Sequence, residues 1–361
     1  MPDPPALLRR WPDLARAIPV IHLMDGPTPV EPAPELARVL GVGELWIKRD
    51  DRTAGAYGGN KVRKLEFLLA DARRRGLSRV VTVGAIGSHH VLATAIHGRD
   101  QGFAVDAVLS PQAVNPHVRD QLRLILATCR RCALVEGYEA RPQIIERMCA
   151  PEDGDDRGGY PIPAGGSTPV GALGFVSAIL ELEDQVQAGE APPPDRIYTA
   201  LGSCGTLAGL AVGLGLGWLR TRVTAARVTE ATMASRDLVL QLGRDTAALL
   251  RQRGPDLANA LARWDRTQRF AVDDRFFAPG YGEPRDDVDE AVALARDTGG
   301  LVLEGTYTGR AFAALVADAR AGRLRDQNVL FWHTLSSADL TERLAAARAL
   351  DELPSEFLPY L

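Results

Sequence analysis

Short apolar runs alternate with longer amphipathic stretches along most of the chain. The runs at 45–49, 80–83, 105–109 and 132–136 read as buried strands, because each is short and rich in branched apolar residues. Apolar positions spaced three and four apart follow each run, predicting helices over 61–75, from 88, from 116 and over 142–150. The segment 151–166, rich in Gly, Pro and Asp, is the longest irregular stretch and marks a crossing between domains. Beyond it the spacing predicts a helix over 169–183, a strand at 197–200 and a helix from 206. Further pairs follow: a strand at 226–230 with a helix from 235, and a strand at 301–303 with a helix from 308. A strand at 329–332 and a last helix near 338–350 complete the pattern.

This alternation predicts an α/β protein with parallel sheets covered by helices on both faces. Such sheets bind ligands beyond the carboxyl ends of their strands, so the loops that follow strands carry the information. Composition changes this picture little. With 361 residues, 46% hydrophobic and 24% charged, the chain has an ordinary globular balance and room for two domains. A net charge of -4 argues against nucleic-acid binding. The basic clusters Arg73-Arg74-Arg75 and Arg130-Arg131 read as solvated faces. No run approaches the ~18 apolar residues that span a bilayer. The start, Met-Pro-Asp-Pro-Pro, does not read as a signal peptide, so a cytoplasmic location is expected. Cys129 and Cys132 form a C-x-x-C pair, but Cys149 and Cys204 lie in unrelated contexts. The pair therefore reads as small buried apolar residues and no metal site is expected.

Three loops carry unusual residues. In Gly58-Gly59-Asn60-Lys61-Val62-Arg63-Lys64, Asn60 reads as an N-cap and puts Lys61 in the first helical turn. A cation there opposes the helix dipole, which depresses its pKa and frees the neutral amine a Schiff-base lysine needs. Lys64 lies one turn on, on the same face, where it meets an anion. Two solvated lysines at a helix start are the plainer reading of the same residues. The second loop, Gly84-Ala85-Ile86-Gly87-Ser88-His89-His90, presents a hydroxyl and two imidazoles; Ser88 also reads as an N-cap. The third, Gly202-Ser203-Cys204-Gly205-Thr206, offers consecutive N–H groups at a helix start, a cradle for phosphate.

Together these loops resemble pyridoxal-phosphate enzymes of the tryptophan synthase β-like fold, and more narrowly the D-cysteine desulfhydrase and 1-aminocyclopropane-1-carboxylate (ACC) deaminase family. The resemblance runs through Pro27-Thr28-Pro29, Ile47-Lys48-Arg49-Asp50-Asp51 and the run from Gly58 to Phe67. It continues through 161–174, 202–206, Pro279-Gly280-Tyr281-Gly282, Tyr307-Thr308-Gly309 and Phe331-Trp332-His333-Thr334. It implies fold type II, with two open, twisted, mostly parallel sheets flanked by helices. Residues 1–50 and 166–361 would form a large cofactor-binding domain and 51–165 a smaller α/β domain, with the active site in the cleft between them. Pyridoxal 5′-phosphate is the implied cofactor and a homodimer the implied assembly.

The resemblance also assigns roles. Lys61 would bind the cofactor covalently and shuttle the α-proton. Lys64 and Gly202, Ser203, Cys204, Gly205 and Thr206 would hold the phosphate. Ser88 would relay a proton or touch the substrate carboxylate, with His90 and Thr334 lining the substrate space. Tyr281 and Tyr307 would face the substrate, and Thr308 would meet the pyridine nitrogen. ACC deaminases place glutamate there, and a threonine supplies no full negative charge, which suits α,β-elimination from a small amino acid such as D-cysteine. ACC ring opening and a cofactor-binding protein without turnover are the alternatives. Thr308 stands against the first, and the joint presence of Lys61, Ser88, Tyr281 and Tyr307 against the second. Two departures stand out. His89 replaces the family's usual asparagine at the cofactor's 3′-oxygen, and Leu335-Ser336-Ser337 replaces a pair of glycines, where side chains would narrow the pocket or add donors to it.

Overall fold

The computed structural model describes residues 3–136, 141–152, 157–254, 257–347 and 353–361. In chain order its strands are β1 (Val30–Pro32), β2 (Glu44–Lys48), β3 (Arg79–Ala85), β4 (Ala104–Ser110) and β5 (Arg131–Leu134). They continue with β6 (Tyr160–Ile162), β7 (Arg196–Leu201), β8 (Arg222–Arg227), β9 (Phe270–Asp273) and β10 (Asn328–Trp332). Two sheets result, one ordered β1-β2-β10-β7-β8-β9 and the other β5-β4-β3-β6. Every pairing is parallel except β1 with β2. This is the α/β arrangement that the alternation predicts.

Three strands escaped the pattern. β1, β6 and β9 are short and lie at sheet edges, where one-sided pairing removes the need for a long apolar run. β6 sits inside the segment expected to be irregular. The strand expected at 226–230 lies instead at Arg222–Arg227, held there by the register Val223↔Ile197. Residues 301–303 form no strand: Leu301 and Leu303 are buried and Val302 is 71% exposed, yet no neighbouring strand supplies a ladder. The last helix is reduced to Thr341–Ala345, and 348–350 of the expected span lie outside the described residues.

Each sheet packs against two apolar clusters, of which one in each sheet positions the site. Phe175, Val176 and Ile179 of the Pro169–Gln187 helix meet Leu207, Leu210 and Val212 of the Gly205–Leu216 helix over β7, β8 and β10. Around the smaller sheet, Leu65, Leu68 and Leu69 of the Asn60–Arg74 helix pack with Val80, Ile96, Val105 and Ile125. Leu353 and Phe357 join this second cluster, so the C-terminal turn departs from the expected grouping of 166–361 and packs with the smaller sheet. No helix among the described residues is long and apolar enough to cross a membrane.

Beneath the junction of the sheets lies a network of buried charge. Arg63 donates to both oxygens of Asp50 and of Glu181. Lys48 Nζ donates to Glu181 Oε1 at 2.6 Å and to Thr28 O at 2.7 Å. Trp332 Nε1 donates to Asp50 Oδ2 at 2.7 Å, tying β10 to the same carboxylate. Burial pushes the Glu181 carboxyl up, but Arg63 and Lys48 outweigh it and hold it well below the usual range. Buried ions are tolerated here because each has partners. The network fixes the start of the Asn60–Arg74 helix against β2 and β10.

Candidate active site

The carboxyl ends of β2, β3, β7 and β10 lead into one cavity. Among the residues singled out in the sequence, Lys61, Lys64, Ser88, His89, His90, Gly202, Ser203, Cys204, Thr206, Tyr281, Tyr307, Thr308 and Thr334 line it. Gly205 lies just behind: a Cβ there would stand 2.6 Å from Ser167 Oγ and 2.9 Å from Lys64 Nζ. A side chain there would push Ser167 Oγ and Lys64 Nζ aside, so glycine lets this backbone stand close to the Lys64 amine.

The lysine loop differs from the expected capping. Gly59, not Asn60, is the N-cap, at φ 93°, and a Cβ on it would lie 2.9 Å from Thr334 O. Asn60 is the first helical residue; its Nδ2 donates to Thr206 Oγ1 at 3.2 Å and its Oδ1 accepts from Lys61 Nζ at 2.9 Å. Asn60 therefore links the lysine to the loop 202–206. Burial lowers the Lys61 pKa to about 8, against the opposing pull of Glu304. The direction agrees with the sequence argument, but burial is its leading cause.

Lys64 is pulled further down by burial and by Lys61. Its Nζ donates to Gly165 O at 3.0 Å, and among the described residues it has no carboxylate partner. A buried ammonium in that state is completed by an anion. The loop 202–206 supplies the rest of a cradle. Cys204 takes φ 68°, a left-handed conformation rare outside glycine, at the N-cap of the Gly205–Leu216 helix. Ser167 Oγ donates to Ser203 Oγ at 2.9 Å and accepts from Gly205 N at 3.1 Å.

On the smaller sheet, Ser88 caps the His89–Asp100 helix, its Oγ accepting from Val91 N at 3.3 Å. Both nitrogens of His89 are engaged by protein groups: Nδ1 with Tyr57 Oη at 2.5 Å and Nε2 with His117 Nε2 at 3.0 Å. Burial, His117 and Lys61 together lower its pKa to about 3. These contacts favour the neutral ring. His90 is held neutral by burial in the same way, with Nε2 3.1 Å from Thr82 Oγ1.

At the far wall the Tyr281 and Tyr307 hydroxyls are 3.0 Å apart, their rings edge-to-face. Thr308 opens the Thr308–Arg320 helix. Glu304, which the sequence reading passed over, accepts from the N–H groups of Thr306, Tyr307 and Thr308 and from Thr308 Oγ1 at 3.1 Å. A carboxylate thus stands one hydrogen bond behind the threonine. Of the run 335–337, only Leu335 borders the cavity. Ser336 Oγ accepts from Gly58 N and Ser337 Oγ donates to Asp51 O, so these hydroxyls brace the lysine loop and add no donors to the pocket.

Comparison with known proteins agrees with this geometry. The pyridoxal-phosphate dependent enzyme family matches residues 21–334. D-cysteine desulfhydrase of Klebsiella pneumoniae subsp. pneumoniae is 36% identical over 325 residues, covering 88% of this chain and 93% of that protein. Its counterpart from Salmonella schwarzengrund is 35% identical over 324 residues, with the same coverage. Among solved structures, an ACC deaminase homologue superposes with a TM-score of 0.76 at 28% identity, covering 95% of this chain and 99% of that one. A threonine deaminase from Solanum lycopersicum, at 16% identity and TM-score 0.59, shares the fold. The chain belongs to the pyridoxal-phosphate-dependent enzymes, and within them to the D-cysteine desulfhydrase and ACC deaminase group of lyases. Its residues fit the cofactor. Lys61 is a half-buried amine with a lowered pKa, and Lys64 faces the close approach at Gly205, beside the loop 202–206.

Proposed function

We propose that the chain eliminates the β-substituent of a small amino acid, with D-cysteine the first candidate, giving a 2-oxoacid, ammonia and the leaving group. The observation that carries this is Lys61, a half-buried amine with its pKa lowered to about 8, in a cavity that also holds Ser88 and the Tyr281–Tyr307 pair. The relatives named D-cysteine desulfhydrase support the substrate class.

Bound through Lys61, pyridoxal phosphate supplies an electron sink that acidifies the substrate's α-carbon. The residues do the rest. Lys64, Ser203, Cys204, Gly205 and Thr206 hold the phosphate, with Gly202 leading into the cradle. Asn60 fixes Lys61 at the distance the loop sets, and the Lys61 amine takes the α-proton. Ser88 and the first N–H groups of its helix receive the substrate carboxylate. The paired hydroxyls of Tyr281 and Tyr307 stand where a proton meets the departing group, as the Cβ–S bond breaks with its electrons on sulfur. Thr308, held by Glu304, meets the pyridine nitrogen. His90 and Thr334 close the substrate space.

One observation favours ACC ring opening as a second reading: Glu304 brings negative charge onto the Thr308 hydroxyl. A panel of D- and L-cysteine, cysteate, β-chloroalanine, D-serine and ACC, assayed for 2-oxoacid, separates the two. Lys61→Ala is expected to abolish the borohydride-reducible adduct and all turnover while the fold persists. An adduct retained on another lysine overturns the reading.

The same reading includes two domains. The separation of strands 79–162 into their own sheet supports a smaller unit over 51–165 and a larger one over 1–50 and from 166 on, with the last turn packed back on the smaller. Homodimeric assembly rests on the resemblance, and sedimentation velocity reads it; a cytoplasmic location rests on the sequence expectation alone.

A further inference from the structure

Tyr281 lies in 274–285, a stretch of turns between β9 and the Asp286–Gly299 helix that belongs to no sheet. Its hydroxyl nevertheless stands 3.0 Å from that of Tyr307, at the wall of the cavity. Arg310, three residues after Tyr307 in the first turn of the Thr308–Arg320 helix, reaches across to that stretch. Its Nη1 donates to Phe277 O and its Nη2 to Gly280 O and Glu283 O, each at 2.8 Å. The last two carbonyls bracket Tyr281, one from the residue before it and one from two residues after. Arg285 Nη1 takes Ala278 O at 2.7 Å on the exposed side of the same loop. One helical turn thus presents Tyr307 and Thr308 to the cavity and, through Arg310, holds the backbone that carries Tyr281.

Stability alone does not account for an arginine there. The side chain is fully buried at a helix start, where a cation opposes the dipole. Its hydrogen bonds go to carbonyls, and its Nε is buried without a partner among the described residues. Burial lowers its pKa, whereas Arg63, bonded to two carboxylates, is raised. A buried cation held only by dipoles costs folding free energy. What the guanidinium supplies in return is a rigid planar fork whose donors reach several carbonyls of one loop at fixed spacing.

We propose that Arg310 is a positioning residue for Tyr281, setting the contact between the Tyr281 and Tyr307 hydroxyls and with it the delivery of a proton to the departing group. This rests on the elimination reading above, in which those hydroxyls meet that group. A thiolate departs with difficulty unless it is protonated, whereas chloride leaves without a proton. The effect of Arg310 therefore depends on the substituent that leaves.

The test uses the holoenzyme as wild type, Arg310→Lys, Arg310→Gln, Tyr281→Phe and the double variant Arg310→Lys with Tyr281→Phe. Rates of 2-oxoacid formation are measured with β-chloroalanine and with each enantiomer of cysteine. In parallel, fluorotyrosine-labelled protein is followed by fluorine NMR, with Tyr281 and Tyr307 assigned through single phenylalanine replacements. Arg310→Lys, which keeps the cation and the fold but not the fork, is expected to lower the ratio of cysteine to β-chloroalanine kcat by about ten- to hundred-fold, the scale of a small misplacement. Arg310→Gln should lower it further, and both should shift the Tyr281 resonance. In the Tyr281→Phe background the lysine change should leave the ratio unmoved. Equal losses on both substrates, a ratio that still falls without the Tyr281 hydroxyl, or an unshifted Tyr281 resonance overturns the proposal. If neither amino acid yields 2-oxoacid, the elimination reading fails, and the Tyr281 resonance alone decides whether Arg310 places that side chain.

Discussion

The first turns of the Asn60–Arg74 helix face two buried regions of opposite character. Arg63 enters a network in which Asp50, Glu181, Lys48 and Thr28 satisfy one another. Lys61 and Lys64, on another face of the same turns, enter a cavity where an amide oxygen and a carbonyl are their hydrogen-bond partners. Arg63 and Lys64 are buried, and Lys61 is half-buried. Bonded to two carboxylates, Arg63 is driven well above its usual pKa despite burial; Lys48, which shares only Glu181, is still lowered by burial, and so are both cavity lysines. Paired charge makes a rigid footing, and underpaired charge makes a receptor for an anion and a source of neutral amine.

The sharpest way to break this contrast is Arg63→Met, which leaves Asp50 buried without its two-pronged partner. It should cost about 3–5 kcal/mol in chemical denaturation, the range for breaking a buried ion pair. Lys64→Met should behave oppositely. The cofactor-free fold loses a buried amine that lacks a carboxylate partner and is not destabilised, whereas phosphate binding weakens by about 1.5–3 kcal/mol, read from cofactor release during dialysis.

The third effect is smaller, because Lys61 borders a cavity open to water. Its folded pKa near 8 lies below the 10.5 of an unburied lysine, so between those values the unfolded chain holds more protons. The stability of cofactor-free wild type should therefore rise relative to Lys61→Ala as pH climbs from 8 to 10.5. Parallel curves in urea would show that the amine is not desolvated. Least of all should change in His89→Asn. With the ring already neutral and its nitrogens held by Tyr57 and His117, absorbance titrations of mutant and wild-type holoenzyme between pH 6 and 9 should superimpose.

How much of this was legible in the sequence follows from range. The Gly58–Lys64 loop and the cradle at 202–206 are local signals, in which type, spacing and a neighbouring strand sit within a few residues. The central strands were equally plain. Asn60 was misassigned because its partner, Thr206, lies on another sheet strand's loop, and only the fold shows Gly59 taking the capping place. Glu304 was missed for the same reason. An acid four residues before Thr308 looks like ordinary surface charge until tertiary packing carries it to the cavity. Ser167 carried no signal of its own beyond a hydroxyl near a turn.

The position of β10 bears on how the chain comes to be folded during synthesis. β10 lies between β2 and β7, so the larger sheet cannot close until residues 328–332 have left the ribosome. The smaller sheet, drawn from 79–162, has all its strands far earlier. Asn60 N donates to Thr334 O, so even the backbone beside Lys61 takes its final place only when the end of the chain arrives. Contacts of such long sequence separation form slowly. A nascent chain halted before β10 exposes two unpaired strand edges, and its lysine loop waits without a partner.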